Sequence, residues 1–152
     1  MAAPLKGVLL VLRRMVLLGG ALLVGVIVLS GVALAEDLRG TFGPDNLEGS
    51  NQKDRIYGLG AKDTLRGLGG NDDCYGGSGA DKIRCGAGND RIDGGFGEDM
   101  LFGALGNDTI SAADGKEDQV NCGEGDDTVY VDELDVVNPD CEEVFTAVLE
   151  TM

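Results

Sequence analysis

An aspartate recurs at every ninth position through the middle of this chain of 152 residues. Eight of these register aspartates follow one another without interruption: Asp45, Asp54, Asp63, Asp72, Asp81, Asp90, Asp99 and Asp108. An apolar residue stands two positions after each, and glycine opens each of these eight units except the one that begins at Cys85. After one inserted residue the pattern resumes at Asp118 and Asp127, which makes ten units. A single unit is too short to bury a core, so the repeat predicts stacked units that share one.

The residue types within one unit change from turn formers to strand formers. In the copy that runs from Gly76 to Arg84, glycine is frequent in the first four positions, and glycine adopts φ > 0 at little steric cost. The last three residues, Lys82-Ile83-Arg84, alternate polar and apolar, which predicts a three-residue strand with one inward side chain. Two consecutive units make one coil, with a strand on each side. The predicted fold class is therefore all-β, with parallel strands in a stack.

Aspartates that are two units apart lie above one another in such a stack and form two columns. Coils stack about 4.7–4.9 Å apart, so neighbouring carboxylates in a column repel strongly unless a cation lies between them. Carboxylates and glycine carbonyls offer only oxygen ligands, a set that suits Ca²⁺ better than zinc or copper. The alternative is that the aspartates only terminate turns, as aspartate often does. That alternative explains one turn but not the nine-residue register.

The pattern Gly-Gly-x-Gly-x-Asp-x-apolar-x resembles the calcium-binding nonapeptide repeats of RTX, or hemolysin-type, proteins. The resemblance covers roughly residues 40–130. It implies a right-handed parallel β-roll, here of about ten nonapeptide units with a short C-terminal cap, and Ca²⁺ ions bound in rows between the turns. It also implies that each ion takes one aspartate and two carbonyls from each of two turns that are one coil apart. The chain is also similar to small exported calcium-binding proteins of bacteria.

The resemblance assigns ligands to individual positions of this sequence. The implied sets are Gly76, Ser78 and Asp81 with Gly95, Gly97 and Asp99; Gly67, Gly69 and Asp72 with Gly86, Gly88 and Asp90; and Cys85, Ala87 and Asp90 with Ala104, Gly106 and Asp108. Asp63 is a further implied ligand in the first column. The second unit carries Gln52 and Lys53 where glycine and a small residue belong. We therefore expect the first coil or two to bind an ion weakly or not at all.

Residues 1–35 have the features of a signal peptide. Lys6, Arg13 and Arg14 give a basic start, the stretch 15–35 is uncharged, and Ala33-Leu34-Ala35 is a suitable cleavage site. The alternative is an uncleaved anchor, because the apolar run is long enough to span a bilayer of ~20 residues. We predict that residues 1–35 are removed. The mature protein is then secreted, or attached to the cell surface, without stable membrane insertion.

The four cysteines are predicted to form two disulfides. Cys74, Cys85, Cys122 and Cys141 are an even number in an exported chain, and a zinc site is disfavoured because the sequence has no histidine. Cys85 and Cys122 open units two coils apart, about 9–10 Å at the ordinary inter-strand spacing, which exceeds the reach of a disulfide. The sensible pairs are Cys74 with Cys85 and Cys122 with Cys141. The second pair would tie residues 131–152, a predicted cap and tail, to a roll over 36–130.

The charge balance restricts the function. Asp and Glu number 27 against 12 Lys and Arg, a formal net charge of −15, which argues against a nucleic-acid partner. The absence of histidine excludes His-based catalytic triads. The sequence predicts a secreted calcium-binding protein, not an enzyme, whose roll folds on extracellular Ca²⁺ and serves a surface, matrix or interaction role. Its further partner would be a polysaccharide or a protein. The alternative is a carboxylate-dependent polysaccharide-modifying enzyme.

Overall fold

The computed structural model describes residues 37–147, and these contain thirteen β-strands and no helix. The strands are β1 Asp37–Arg39, β2 Asn46–Glu48, β3 Arg55–Gly60, β4 Thr64–Gly69, β5 Asp73–Ser78, β6 Lys82–Ala87, β7 Arg91–Phe96, β8 Met100–Leu105, β9 Thr109–Ser111, β10 Gln119–Glu124, β11 Thr128–Asp132, β12 Val136–Val137 and β13 Glu143–Ala147. Within this range no helix is long and apolar enough to cross a membrane. The predicted signal peptide lies outside the described residues.

The strands form two parallel sheets that alternate along the chain. The odd sheet has the order β1-β3-β5-β7-β9-β11-β13, and the even sheet has the order β12-β10-β8-β6-β4-β2. Ile56 pairs with Cys74 and Cys74 with Ile92, so neighbours in a sheet are two units apart along the chain, as the repeat requires. This arrangement is a parallel β-solenoid, and it confirms the predicted all-β roll architecture.

The roll has about six turns. The ten strands β2 to β11 each follow one register aspartate, and two such strands make one turn. β1 precedes the ten predicted units, and β12 and β13 follow them in parallel pairing with β10 and β11. The stack is therefore longer than the five turns that ten units make by themselves.

The central strands are longer than the sequence predicts. β6 has six residues and includes the last three positions of one unit and the first three of the next. The prediction of three-residue strands is wrong there, because pairing continues through the glycine-rich positions, where Leu68 pairs with Gly86 and Gly69 with Ala87. The glycines and the outward-facing Leu68 leave the adjacent backbones at the ordinary inter-strand spacing, so the hydrogen-bonded ladder continues.

The core is one thin ladder of apolar side chains between the two sheets. Each strand from β1 to β11 contributes the residue at its second position: Leu38, Leu47, Ile56, Leu65, Cys74, Ile83, Ile92, Leu101, Ile110, Val120 and Val129. Disulfides add covalent links, since Cys74 is bonded to Cys85 and Cys122 to Cys141, which confirms both predicted pairs. The Cα–Cα distances are 6.5 and 5.2 Å, within the ordinary range for a disulfide.

Candidate metal centre

Each register aspartate from Asp63 to Asp127 is tied by one carboxylate oxygen to the coil before it. The Oδ1 atom of Asp90 accepts the backbone N–H of Asp72 at 2.8 Å, and the Oδ1 atom of Asp108 accepts that of Asp90 at 2.8 Å. The same bond recurs along both columns, at 2.7–2.8 Å from Asp45 to Asp127. The two-unit spacing therefore places one carboxylate per column in each turn, beside the backbone of the preceding turn.

The other carboxylate oxygen of these residues has no partner. In eight of them the Oδ2 atom is buried and accepts no hydrogen bond: Asp63, Asp72, Asp81, Asp90, Asp99, Asp108, Asp118 and Asp127. A buried acceptor without a partner is costly, and an ionised one is far more so. Two columns of such atoms therefore require protons or cations.

Burial raises the pKa of these carboxyl groups. The pKa values rise from 3.8 to about 6 for Asp63, Asp72, Asp90 and Asp99, and to about 7 for Asp108 and Asp118. The backbone N–H bond opposes the shift, and for these six groups the charge of neighbouring aspartates adds to it. The pKa of Asp81 and of Asp127 is raised by the same burial. Near neutral pH the ionised columns are thus held in an unfavourable state that a cation relieves.

Where a turn begins with glycine, this residue leaves the space beside the aspartate Oδ2 atom free of side-chain atoms. A Cβ atom built on Gly94 would lie 2.6 Å from Asp99 Oδ2, closer than real Cβ atoms approach. A Cβ on Gly103 would lie 2.5 Å from the carbonyl oxygen of Cys122, which belongs to the next coil. A carboxylate oxygen and a backbone carbonyl therefore border the same glycine. All-oxygen donors of these two kinds fit Ca²⁺.

The second and fourth positions of the central turns adopt a left-handed backbone. Gly86 and Gly88 have φ of +115° and +141°, and Gly95 and Gly97 have φ of +94° and +139°. A Cβ at any of these four glycines would collide with a carbonyl of the coil before, so a side chain is disfavoured at these positions.

A family model for the RTX calcium-binding nonapeptide repeat matches this chain in four overlapping copies, at residues 30–61, 39–74, 49–83 and 75–110. Together the copies span more than half of the chain. The chain belongs to the RTX calcium-binding nonapeptide repeat family. RTX repeats bind Ca²⁺ in a β-roll, which agrees with the unpartnered carboxylate oxygens described above. No curated protein and no solved structure matches the chain significantly.

The first two register aspartates of this RTX roll differ from the later ones. Asp54 Oδ2 accepts the backbone N–H of Ser50 at 2.5 Å and its hydroxyl at 3.0 Å. Asp45 Oδ2 accepts the same two groups of Thr41, at 2.5 and 3.0 Å. These local donors compensate the carboxylates of the first coil. That the first coil or two bind an ion weakly or not at all stays a prediction.

The implied carbonyl ligands lie in the turns that border the columns. The carbonyl of Ala87 already accepts the backbone N–H of Gly70 at 2.8 Å, so its second lone pair remains for a cation. The first-position residues Gly67 and Gly76 each adjoin the Oδ2 atom of the aspartate in their own turn. The structure thus brings the predicted aspartates and glycines together, whereas the division of ligands among individual ions stays a prediction.

Two acidic residues that the sequence pattern did not identify extend the two aspartate columns. Asp135 Oδ1 accepts the N–H of Asp118 at 3.0 Å, and Glu142 Oε2 accepts that of Asp127 at 3.0 Å. Their separations of 17 and 15 residues conceal them from a search at the two-unit period. The signal that could have found them is an acidic residue two positions before an apolar one, at Val137 and Val144.

Proposed function

We propose that this RTX protein is secreted, binds several Ca²⁺ ions along its two aspartate columns, and folds when it meets extracellular calcium. The observation that carries the proposal is the set of eight buried Oδ2 atoms without hydrogen-bond partners. Ca²⁺ supplies positive charge to oxygens that the protein leaves uncompensated. The proposed role of the folded roll is structural, at a surface or in an extracellular matrix.

The proposed ligands are the register aspartates and the turn carbonyls beside them. The aspartates are Asp63, Asp72, Asp81, Asp90, Asp99 and Asp108, and the turn residues are Gly67, Gly69, Gly76, Ser78, Gly86, Gly88, Gly95, Gly97 and Gly106. The aspartates are at most 3% exposed, so each ionised side chain adds a desolvation cost when the roll forms. Metal binding then contributes directly to the free energy of folding.

Export is supported by the sequence pattern of residues 1–35 and by the disulfides. Disulfides persist in oxidising compartments and are rare in the cytosol, and this chain has two. We propose that cleavage after Ala35 releases a mature chain with its repeat roll over 36–130 and a cap over 131–152, whose strands β12 and β13 continue the stack. N-terminal sequencing of the secreted protein tests this, with Glu36 as the expected first residue.

The carboxylates of the columns are poorly placed for catalysis on a polysaccharide. A glycosidase needs two carboxyl groups that touch the substrate, whereas Asp63 is fully buried and Asp90 is 3% exposed. The matching family is one of binding and structural modules. A binding role therefore has the better support.

Circular dichroism of the mature chain, titrated with Ca²⁺ from a chelated start, tests the proposed function. We expect a largely unfolded spectrum in chelator and a β-rich one in millimolar Ca²⁺, with a midpoint of about 10⁻⁴–10⁻³ M, typical of extracellular calcium modules. Mg²⁺ is the control, and it should substitute poorly because it requires tight octahedral geometry. A β-rich spectrum that chelation leaves unchanged would contradict the proposal.

A further inference from the structure

The outer face of the even sheet carries a charge opposite to that of the whole protein. The three central strands of this sheet, β4, β6 and β8, contain no acidic residue at all. They present Arg66, Lys82 and Arg84 to solvent, and Phe102 lies beside them. The chain as a whole has a formal net charge of −15. This basic face is therefore a local exception that the calcium sites do not explain.

The cations on this face lack sufficient counter-charges. Arg66 and Arg84 pair directly across neighbouring strands, and like charges in that position destabilise a sheet. Within residues 37–147, the only ion pair on this face joins Arg66 to Glu48, at 3.8 Å, and neither Lys82 nor Arg84 has a carboxylate partner. The cationic groups of Lys82 and Arg84 instead lie 5.9 Å from the centre of the Phe102 ring. An anion bound between them would relieve the repulsion.

A groove on this face extends in the stacking direction and, beside Arg66 and Arg84, also along the strands. Three concavities of about 390, 550 and 410 Å³ adjoin one another there. The first and second share Arg66 and Arg84, and the first and third share Phe102. Beyond Phe102 the groove is lined by Gln119 and Asn121, together with the apolar residues Val136, Val137 and Pro139. It thus combines cations, an aromatic ring and neutral hydrogen-bonding groups in sequence.

We propose that this groove binds an acidic polysaccharide, a chain of sugars that carry carboxylates. The inference rests on the proposed function, since the groove exists only in the folded roll, and it names the partner class of that role. Arg66, Lys82 and Arg84 bind the sugar carboxylates, and Phe102 packs against the apolar face of a sugar ring. The amides of Gln119 and Asn121 bond sugar hydroxyls, which explains why the groove continues past its charged part.

The same features disfavour other polyanions. Three cations on a molecule of net charge −15 cannot offset the phosphates of a nucleic acid, because the rest of the surface repels them. An acidic peptide would satisfy the arginines but has no row of hydroxyls for the amide end. A sparsely charged, hydroxyl-rich chain fits both halves of the groove.

The test compares two triple variants of equal net charge. Arg66→Gln, Lys82→Gln and Arg84→Gln remove the basic face. The control carries Arg39→Gln, Arg55→Gln and Arg91→Gln, which remove three cations from the odd sheet. Binding of hyaluronate, as the probe, is measured by calorimetry in saturating Ca²⁺. Neutral dextran, poly-glutamate and a DNA oligonucleotide provide the comparison ligands.

We expect the basic-face variant to bind hyaluronate roughly tenfold to hundredfold more weakly, and the control variant to bind like the wild type. Wild-type binding should weaken as salt is added. Equal binding by the two variants would overturn the proposal, as would tighter binding of poly-glutamate or DNA than of hyaluronate. Circular dichroism of the same samples separates the two proposals. A wild-type chain that folds with Ca²⁺ but ignores hyaluronate refutes the groove alone, whereas one that does not respond to Ca²⁺ refutes the proposed function.

Discussion

The first coil of the roll and the coils above it contain the same aspartate columns, yet they compensate the carboxylates differently. Asp54 and Asp90 each donate a backbone N–H to the next aspartate in the column, at 2.8 Å. The Oδ2 atom of Asp54 accepts two hydrogen bonds from Ser50, whereas that of Asp90 is buried without a hydrogen-bond partner. In the first coil, hydrogen bonds within the turn compensate the carboxylate oxygen, whereas in the other coils a cation must do so.

The difference originates at the second position of the unit. In the first coil this residue is Thr41 or Ser50, neither of which has positive φ. In the later coils, except in the turn before Asp118, the second position adopts a left-handed backbone and carries no hydroxyl, with φ of +82° at Leu68, +115° at Gly86 and +97° at Ala104. A left-handed turn favours glycine and so removes the hydroxyl donor. The residue at the second position of the unit therefore decides whether the aspartate accepts hydrogen bonds from its own turn or needs a cation.

The largest expected effect comes from Asp90→Ala, compared with Asp54→Ala. Asp90 lies between Asp72 and Asp108 in its column, so its loss should remove about two bound Ca²⁺ ions and shift the folding midpoint markedly. Asp54→Ala should remove one ion at most, with a small shift, because Ser50 already compensates that carboxylate. Calorimetric titration with Ca²⁺ measures both. Identical titration curves for the two variants would refute the distinction between the coils.

The pH dependence of the metal-free roll should be the next largest effect. The pKa of Asp90 rises from 3.8 to about 6 and that of Asp108 to about 7, because of burial. Between pH 3.8, the unshifted pKa, and about pH 6 to 7, the raised pKa values, the folded roll binds more protons than the unfolded chain. Its stability is therefore greatest near pH 4 and is lost as the pH rises through 6 to 7. With Ca²⁺ present the trend reverses, because protons displace the bound ions as the pH falls.

Chemical unfolding from about pH 4 to 8, with and without chelator, measures this dependence. Equal stability of the chelated protein at both ends of the range would show that the buried carboxylates do not control folding.

A smaller effect is expected when the hydroxyl donor of the first coil is removed. Ser50→Ala deletes the 3.0 Å bond to Asp54 Oδ2 and should destabilise the roll by about 1–2 kcal/mol, since the acceptor is charged and buried. Ser78→Ala is the matched control, because that side chain is exposed and bonds only weakly, at 3.5 Å, to Leu59, and because alanine keeps the backbone carbonyl through which Ser78 is proposed to bind Ca²⁺. Thermal unfolding in saturating Ca²⁺ compares the two. A loss of stability from Ser78→Ala as large as that from Ser50→Ala would argue against the local compensation.

The smallest effect should be a gain in stability from Ala104→Gly. Ala104 has φ of +97°, a conformation that costs a non-glycine residue about 1 kcal/mol, so glycine should stabilise the roll by up to about that amount. Ala112→Gly provides a control of opposite sign, because Ala112 is buried and has no positive φ. We expect it to lower stability by about 0.5–1 kcal/mol. Urea unfolding midpoints measure whether Ala104→Gly raises stability and Ala112→Gly lowers it.

The sequence by itself determined which residues stack on which. A period of nine with two units per coil predicts the pairing of Ile56 with Cys74, the apolar ladder and the disulfide partners. These follow because a constant spacing places equivalent residues at equivalent heights, whatever the detailed backbone. The resemblance to the RTX repeats, which implies Ca²⁺, also rests on the sequence alone, because the spacing of aspartates and glycines in the motif can be seen without the structure.

Only the tertiary structure decided how each oxygen and each backbone group is paired. The six-residue strands depend on how closely coils approach at glycine, and the bonds of Asp54 to Ser50 depend on the φ angle of one turn residue. The nine-residue period does not reach Asp135 and Glu142, since turns of other lengths bring their carboxylates to the backbone of Asp118 and Asp127. The repeat period gives the position of a residue along the chain. Hydrogen bonding and burial depend on distances between coils, and those distances are defined only in the folded roll.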